Sequence, residues 1–332
     1  MTMDAFELSL LNHFQRDFPL VAKPFAAMAE RLGCAEGEVL DALRALRSRG
    51  AVSRVGAVVT PRRIGASTLA ALSAPPNRLA EVADRVSAYS EVNHNYEREH
   101  AFNLWFVLAA ADPERLTATL QRIRRETACP VISLPLQEEF HIDLGFDLCG
   151  GRRWHERSHD PAHARPVELG DAGRRLMAAL EDGLELVPRP FARLALRSGM
   201  SEEAVLGQLQ EWLAARILKR FGVVVRHHEL GFTANAMAVW DVPDDQASAV
   251  GQRLAAEPGV TLCYRRTRSL PDWRYNLFCM IHGQQRDEVE QRVACLCAVH
   301  GLTDLPHALL FSRRRFKQTG ARYLSAGAAA RG

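Results

Sequence analysis

The sequence predicts an α+β protein built as two tandem copies of one unit, in which three short helices and a strand lead into a βαββαβ run. Three observations carry that prediction. The chain repeats itself: "PFAAMAERLGCAEGEVLDALRALRSRGAVSRVGAVV" begins at Pro24 and "PFARLALRSGMSEEAVLGQLQEWLAARILKRFGVVV" at Pro190, a shift of 190 − 24 = 166 that also superposes Gly56 on Gly222 and Gly65 on Gly231. Apolar residues recur at helical spacing and then stop at glycine, as in Leu40, Leu43 and Leu46 before Gly50, and in Val205, Leu209 and Leu213. Beyond that point the pattern alternates between β-like and helix-like runs. The repeat continues there with small gaps: Tyr96 and Arg98 fall opposite Tyr264 and Arg266 at a shift of 168, and Asn103-Leu104 opposite Asn276-Leu277 at 173.

Each element follows from its local pattern. Three short helices ending in "AVSRVGAVV" or "ILKRFGVVV" make a winged helix-turn-helix. Strand STLAALSAP, helix LAEVADRVSAY, strands EVNHNYE and FNLWFVLAA, helix PERLTATLQRIRRET and strand VISLPLQ then give βαββαβ, a ferredoxin-like sandwich. The expected boundaries are 1–60 and 61–148 for the first helical unit and sandwich, 149–171 for the linker, 172–226 and 227–320 for the second pair, and 321–332 for a disordered tail. The linker reading rests on Gly, Pro, His and Arg without apolar periodicity in "CGGRRWHERSHDPAHARPVELGD".

Composition narrows the function classes. With 332 residues, 47% hydrophobic and 24% charged, the chain reads as a soluble globular protein of two ordinary domains or more. Forty-two basic against 39 acidic residues give a net charge of +3, too balanced to imply nucleic-acid or membrane binding from the total. The first residues lack a signal-peptide core and no run of about 18 apolar residues occurs, so a cytoplasmic location is expected. Seven cysteines without CxxC spacing favour neither a disulfide framework nor a zinc site, and no metal site is expected.

A winged helix-turn-helix joined to a βαββαβ module resembles the Lrp/AsnC transcription-factor architecture. "HNYEREHAFNLWF", "RHHELGFTANAMAVWDVPDD" and "CYRRTRSLPDWRYNLFCMIHG" resemble, more narrowly, the siroheme decarboxylases, across essentially the whole chain. Arg274 departs from the proline that this resemblance leads one to expect in "DWRYNL". The resemblance implies removal of the acetate carboxyls at ring positions 12 and 18 of siroheme, giving 12,18-didecarboxysiroheme and CO2 in haem d1 biosynthesis. It also implies a natural fusion of two related subunits, a pseudo-dimer within one chain. The iron arrives with the substrate, and no separate cofactor is expected. Siroheme and its products are the expected partners, with other haem d1 enzymes and self-association into a homodimer left open; no membrane and no specific DNA are expected.

Such chemistry needs cations for a polycarboxylate ring and a proton donor for the carbon that loses CO2. Alternation along "VNHNYER" places Val92, His94, Tyr96 and Arg98 on one strand face and Asn93, Asn95 and Glu97 on the other. His94 is the first candidate donor, and Arg98, Arg266 and Arg268 are candidate carboxylate holders. His100 and the aromatic pair Trp105 and Trp273 join the candidate binding set. Tyr96 and Tyr264 either give protons, stack on the ring or fill the core. "SRRRFK" adds Arg313, Arg315 and Lys317, with Arg314 between them, as ligand holders or as a solvated face. Leu262 stands where the repeat puts His94, so the second half either draws a donor from elsewhere, for which "RHHELGF" offers His227 and His228, or is chemically dead and serves to bind or to rigidify.

Two readings from other classes remain at this stage, an Lrp/AsnC-like DNA-binding regulator and a haem sensor. The candidate recognition helices begin acidic and carry their basic residues at the C-terminal ends, which complements the helix dipole rather than a phosphate backbone. DNA binding is therefore expected to be weak and unselective. Mobility-shift titration at physiological salt checks this, and nanomolar, sequence-specific binding would decide for the regulator.

Overall fold

The structure is a computed structural model describing residues 3–142, 166–225 and 234–324. Each half opens with three helices: α1 (Ala5–Phe14), α2 (Pro24–Leu32) and α3 (Glu36–Ser48), and, after α5, α6 (Asp171–Leu180), α7 (Pro190–Ser198) and α8 (Glu202–Ala214). Proline opens α2 and α7, and glycine at positive φ (Gly33, Gly199) closes them, where an L side chain would be strained. The strands that follow, β1 (Val52–Val59) and β6 (Leu218–Val225), pair antiparallel with each other across the two halves. Gly56 sits opposite Gly222, its own counterpart in the repeat, so a pseudo-two-fold axis passes between them. The helices of both halves share one core, in which Phe18 packs on Phe25, Phe191 and Phe221 at 5.6–6.5 Å between ring centres.

The two βαββαβ units are β2 (Ala66–Leu72), α4 (Leu79–Ala88), β3 (Val92–Arg98), β4 (Leu104–Ala110), α5 (Pro113–Thr127), β5 (Val131–Ile142), then β7 (Ala234–Trp240), α9 (Ala247–Ala255), β8 (Val260–Arg266), β9 (Leu277–Gly283), α10 (Arg286–His300) and β10 (His307–Gln318). Within each half the strand order is that of the predicted ferredoxin-like sandwich. The two sheets do not stop at their edges: β3 pairs with β10 and β5 with β8, closing a barrel in the order β10-β3-β4-β2-β5-β8-β9-β7. Outer faces pack on the helices, with Val82, Ala83 and Val86 of α4 in the first core and Val250 and Leu254 of α9 in the second. Inner faces meet inside the barrel, where Trp105, Trp273, Phe278, Met237 and Leu310 fill one end. Among the described residues no helix is long and apolar enough to cross a membrane.

Two ends of the sequence-derived domains differ in detail. Residues 166–170, placed in the linker by composition, already pack: Leu169 is buried and the Val167 amide donates to the Arg63 carbonyl at 2.9 Å. Residues 321–324, placed in the disordered tail, are seated by Tyr323, which is buried while its amide and that of Leu324 donate to Glu181. A single aromatic with a carboxylate partner anchors a segment whose composition is otherwise that of a tail.

Gly222 lies against the first helical unit, and a Cβ there would stand 2.2 Å from the Gln15 carbonyl oxygen. Gly222→Ala is expected to cost about 1–3 kcal/mol by forcing that backbone apart. Gly207, inside α8 with nothing within 4 Å, is the control; Gly207→Ala should gain about 0.5–1 kcal/mol. Urea denaturation midpoints compare the two.

Candidate active site

Below the helix-packed end of the barrel lies a cavity of about 490 Å³ whose wall comes from both halves. Closing the barrel joins the equivalent inner faces of the two halves into one space. Half one contributes His94, Tyr96 and Arg98 from β3, and half two contributes Leu262, Tyr264 and Arg266 from β8. Arg315, Gln318, Thr319 and Tyr323 line one side, and Arg54 and Arg220 reach in from β1 and β6.

The alternation predicted for β3 holds from His94 to Arg98 and fails at Val92. Val92 pairs with Leu108 and His94 with Val107, so Asn93 is an extra residue in this strand, a β-bulge. Val92 therefore packs in the first sandwich core, while Asn93 and His94 both face the cavity. The second half repeats the device, with Thr261 extra between Val260 and Leu262. Asn95 follows the expected alternation and bonds the Ala83 carbonyl and Ser87 hydroxyl of α4.

Arg98 and Arg266 sit deep in the barrel, and each crosses a seam to the other half. Arg98 Nη1 donates to the Leu310 carbonyl at 3.0 Å and Arg266 Nη1 to the Leu134 carbonyl at 3.1 Å. Their guanidinium carbons lie 5.8 Å and 5.1 Å from the ring centres of Tyr96 and Tyr264. Burial pushes both arginines down to about 10, with the neighbouring tyrosines opposing the shift, so both stay charged at neutral pH. Burial, helped by Glu139, pushes the Tyr264 phenol well up, so it is a proton carrier rather than a phenolate.

His94 stacks on Tyr96 with ring centres 6.3 Å apart, and its Nδ1 donates to Asn93 Oδ1 at 2.9 Å, which leaves Nε2 to gain or give a proton. Burial first, and then the charge of Arg54, pulls it down to about 4. At neutral pH the ring is therefore uncharged.

Not every sequence candidate reaches this wall. Trp105 does, its indole N–H spent on the Phe102 carbonyl at 2.7 Å. Trp273 lies behind it, edge-on at 4.9 Å, as barrel core. His100 accepts the Phe102 amide at 3.0 Å and packs on Trp273, fixing the β3–β4 turn. Arg268 is absorbed by Asp241, Asp244 and the Val242 carbonyl. Of the basic run on β10, Arg315 faces the cavity, Arg313 points out to Glu99, and Lys317 ties the Ser87 and Tyr89 carbonyls across the seam at 2.8 Å each. His227 and His228 lie outside the described residues.

Three wall residues escaped the sequence reading: Arg54, Arg220 and His282, the last on β9 beside Asn235. The repeat held a signal for two of them, since Arg54 and Arg220 superpose at the same shift of 166 as Gly56 and Gly222. His282 has no such signal, because half one carries alanines in the corresponding part of β4.

Because His94 is depressed in the fold, it favours the unfolded chain once it protonates there. Its contribution to stability is fully present above about pH 6.5 and is lost as pH falls toward about 4. His94→Gln should flatten the acid limb of the ligand-free protein's melting temperature between those values; an unchanged limb would show that His94 is not held neutral.

The comparisons with known proteins agree along the chain. Residues 7–52 and 173–218 match the siroheme decarboxylase NirDL-like HTH domain, and 63–141 and 229–317 the AsnC-like ligand binding domain. The chain is 48% identical to the siroheme decarboxylase NirDL subunit of Paracoccus denitrificans, covering 97% of this chain and 98% of that one. The siroheme decarboxylase NirD subunit of Pseudomonas aeruginosa, a single-subunit relative, is 51% identical over 45% of this chain and 100% of that one. A crystal structure of the siroheme decarboxylase NirDL superposes with a TM-score of 0.71 at 32% identity, over 96% of this chain and 94% of that one. A second NirDL structure, in co-complex with an iron-uroporphyrin III analogue, gives 0.69 at 31% identity with the same coverage. With the helical and the sandwich units both matched twice, and a relative matched over nearly its whole length, the chain belongs to the siroheme decarboxylase family.

Proposed function

We propose that this chain decarboxylates siroheme at the acetate groups of ring positions 12 and 18, yielding 12,18-didecarboxysiroheme and two CO2 for haem d1 formation. The observation that carries this is the charge of the cavity: five arginines, 54, 98, 220, 266 and 315, face it against one carboxylate, Glu181, among its described lining residues. The rest of the wall is largely apolar or aromatic, including Leu69, Trp105, Val107, Leu136, Met237 and Phe278. A flat apolar ring with a carboxylate rim is the complement of such a wall.

In each step the bond between the methylene carbon and the carboxyl carbon breaks, the electron pair stays on the methylene conjugated to the pyrrole, and a proton converts it to methyl. Arg98 and Arg266 hold rim carboxylates that do not react, since pairing with the leaving carboxylate would stabilise the ground state. His94 Nε2 is the proposed donor in half one. Leu262 cannot replace it in half two, where His282 and Tyr264, on the same cavity wall, are described residues able to serve, alongside the sequence candidates His227 and His228. Water is limited by the helical units that cover the barrel mouth.

Anaerobic incubation with siroheme and mass analysis of the tetrapyrrole tests the proposal; loss of two CO2 is expected. His94→Ala should slow one loss by about 10² to 10⁴ and accumulate the mono-decarboxylated ring, and the same analysis on His282→Ala and on the His227→Ala, His228→Ala double variant locates the other donor. Wild-type rates for both losses in His94→Ala would remove it as donor.

A further inference from the structure

We propose that Arg54, carried into the cavity by the helix-turn-helix ribbon, receives a carboxylate of the bound tetrapyrrole, and that this pairing lets His94 take up the proton it later donates. The inference rests on the siroheme reading above and concerns a residue that lies outside both sandwiches.

Arg54 is set in a slot and left underused. Glycines flank it on two sides: a Cβ at Gly183 would come within 3.0 Å of the Arg54 Cβ, and one at Gly320 within 2.8 Å of its Nη1. Its Nη2 donates to the Ala57 carbonyl at 3.0 Å, and its buried Nε has no partner among the described residues. Asp182, the acid whose field favours its charge, is already paired with Arg322 at 2.6 Å and Arg197 at 3.7 Å. The repeat counterpart, Arg220, donates through Nη1 to the carbonyls of Gln15 and Val223. A buried guanidinium with an unanswered N–H on a cavity wall is costly unless an anion completes it.

Its position joins it to the donor. The charge of Arg54 is, after burial, the cause that holds His94 neutral. The other charged or titratable groups on the wall are Tyr96 and Arg98 on the strand of His94, Arg220 on β6, Tyr264 and Arg266 on β8, Cys279 and His282 on β9, Arg315 on β10, Glu181 at the end of α6 and Tyr323 on the C-terminal segment. A carboxylate paired with Arg54 offsets that opposing charge, and this favours the imidazolium. The donor is then loaded when the substrate's rim is in place and not before. Half two has Leu262 in the place of His94 and so lacks the donor of this device.

The test uses the full chain and iron-uroporphyrin III, with affinity from absorbance titration at low and high salt and proton uptake from calorimetry in buffers of different ionisation enthalpy near pH 7. Wild type should bind and take up protons; His94→Gln should bind with that uptake reduced. Arg54→Gln should weaken binding about 10- to 100-fold, flatten its salt dependence and shrink the uptake, because His94 then protonates more readily before binding. Arg54→Lys, which keeps the charge without the fork, should restore most of the uptake and part of the affinity. An arginine that only supports the fold would lower the melting temperature of both variants and leave the proton count and salt dependence of the folded fraction at wild-type values, which overturns the proposal. Failure of wild type to bind iron-uroporphyrin III would instead sink the siroheme reading, and this inference with it.

Discussion

Edge closure is the constraint from which the rest of this structure follows. A four-stranded βαββαβ sheet ends in two unpaired strands, and each presents a row of open amides and carbonyls. Here the edges of half one, β3 and β5, meet β10 and β8 of half two, and the pseudo-two-fold axis that makes both seams possible also sets Gly56 against Gly222 in the ribbon above. Neither sandwich is complete alone. Closure turns two inner faces toward each other, so residues that are far apart in sequence become opposite walls of one cavity.

The electrostatic cost of that cavity is carried by the same seams. Arg98 and Arg266 are buried deeply enough to lose part of their affinity for a proton, yet each is held by a carbonyl of the opposite half and by the face of its own Tyr two residues earlier. The pairings satisfy a few N–H groups of each guanidinium and none of the net charge. Cations gathered in an enclosed space are costly by themselves, and a wall that brings five arginines together suits an anionic ligand. Elsewhere the chain neutralises its arginines promptly, as Arg268 with Asp241 and Asp244 or Arg286 with Glu99 and Glu290 show.

Much of this was legible in one dimension. The duplication, the helix-to-strand order and the Tyr-x-Arg face depend on local periodicity, which survives projection onto a sequence. The bulge at Asn93 was not legible, because one inserted residue leaves no mark on composition while it reverses the facing of Val92. The basic run Arg313 to Lys317 could not be sorted by eye either: a strand's alternation says that neighbours diverge, and only the seam decides that Arg315 faces the cavity while Lys317 serves carbonyls. His100, Trp273 and Arg268 share a motif with true wall residues and take structural posts beside them. Arg54 and His282 belong to elements that the sequence reading treated as scaffold or as plain strand, and closure alone brings them to the site.

Fusion is what allows the two walls to differ. In a homodimer every wall position occurs twice, and a change on one side is a change on both. In a single chain the copies diverge separately. His94 stands where the repeat has Leu262, and the register of the seams sets Arg315 beside Tyr96 but Glu139 beside Tyr264, with Glu139 held by Lys219 at 2.6 Å. The cavity thereby acquires a direction: His94 and Arg315 stand beside Tyr96 on one side, whereas Leu262 and Glu139 flank Tyr264 on the other. A ring whose rim carries chemically different groups can be seated one way in such a space, whereas a symmetric wall would accept it equally in two orientations. Closure by two-fold pairing created the site, and departure from that symmetry is what lets it distinguish one edge of its ligand from the other.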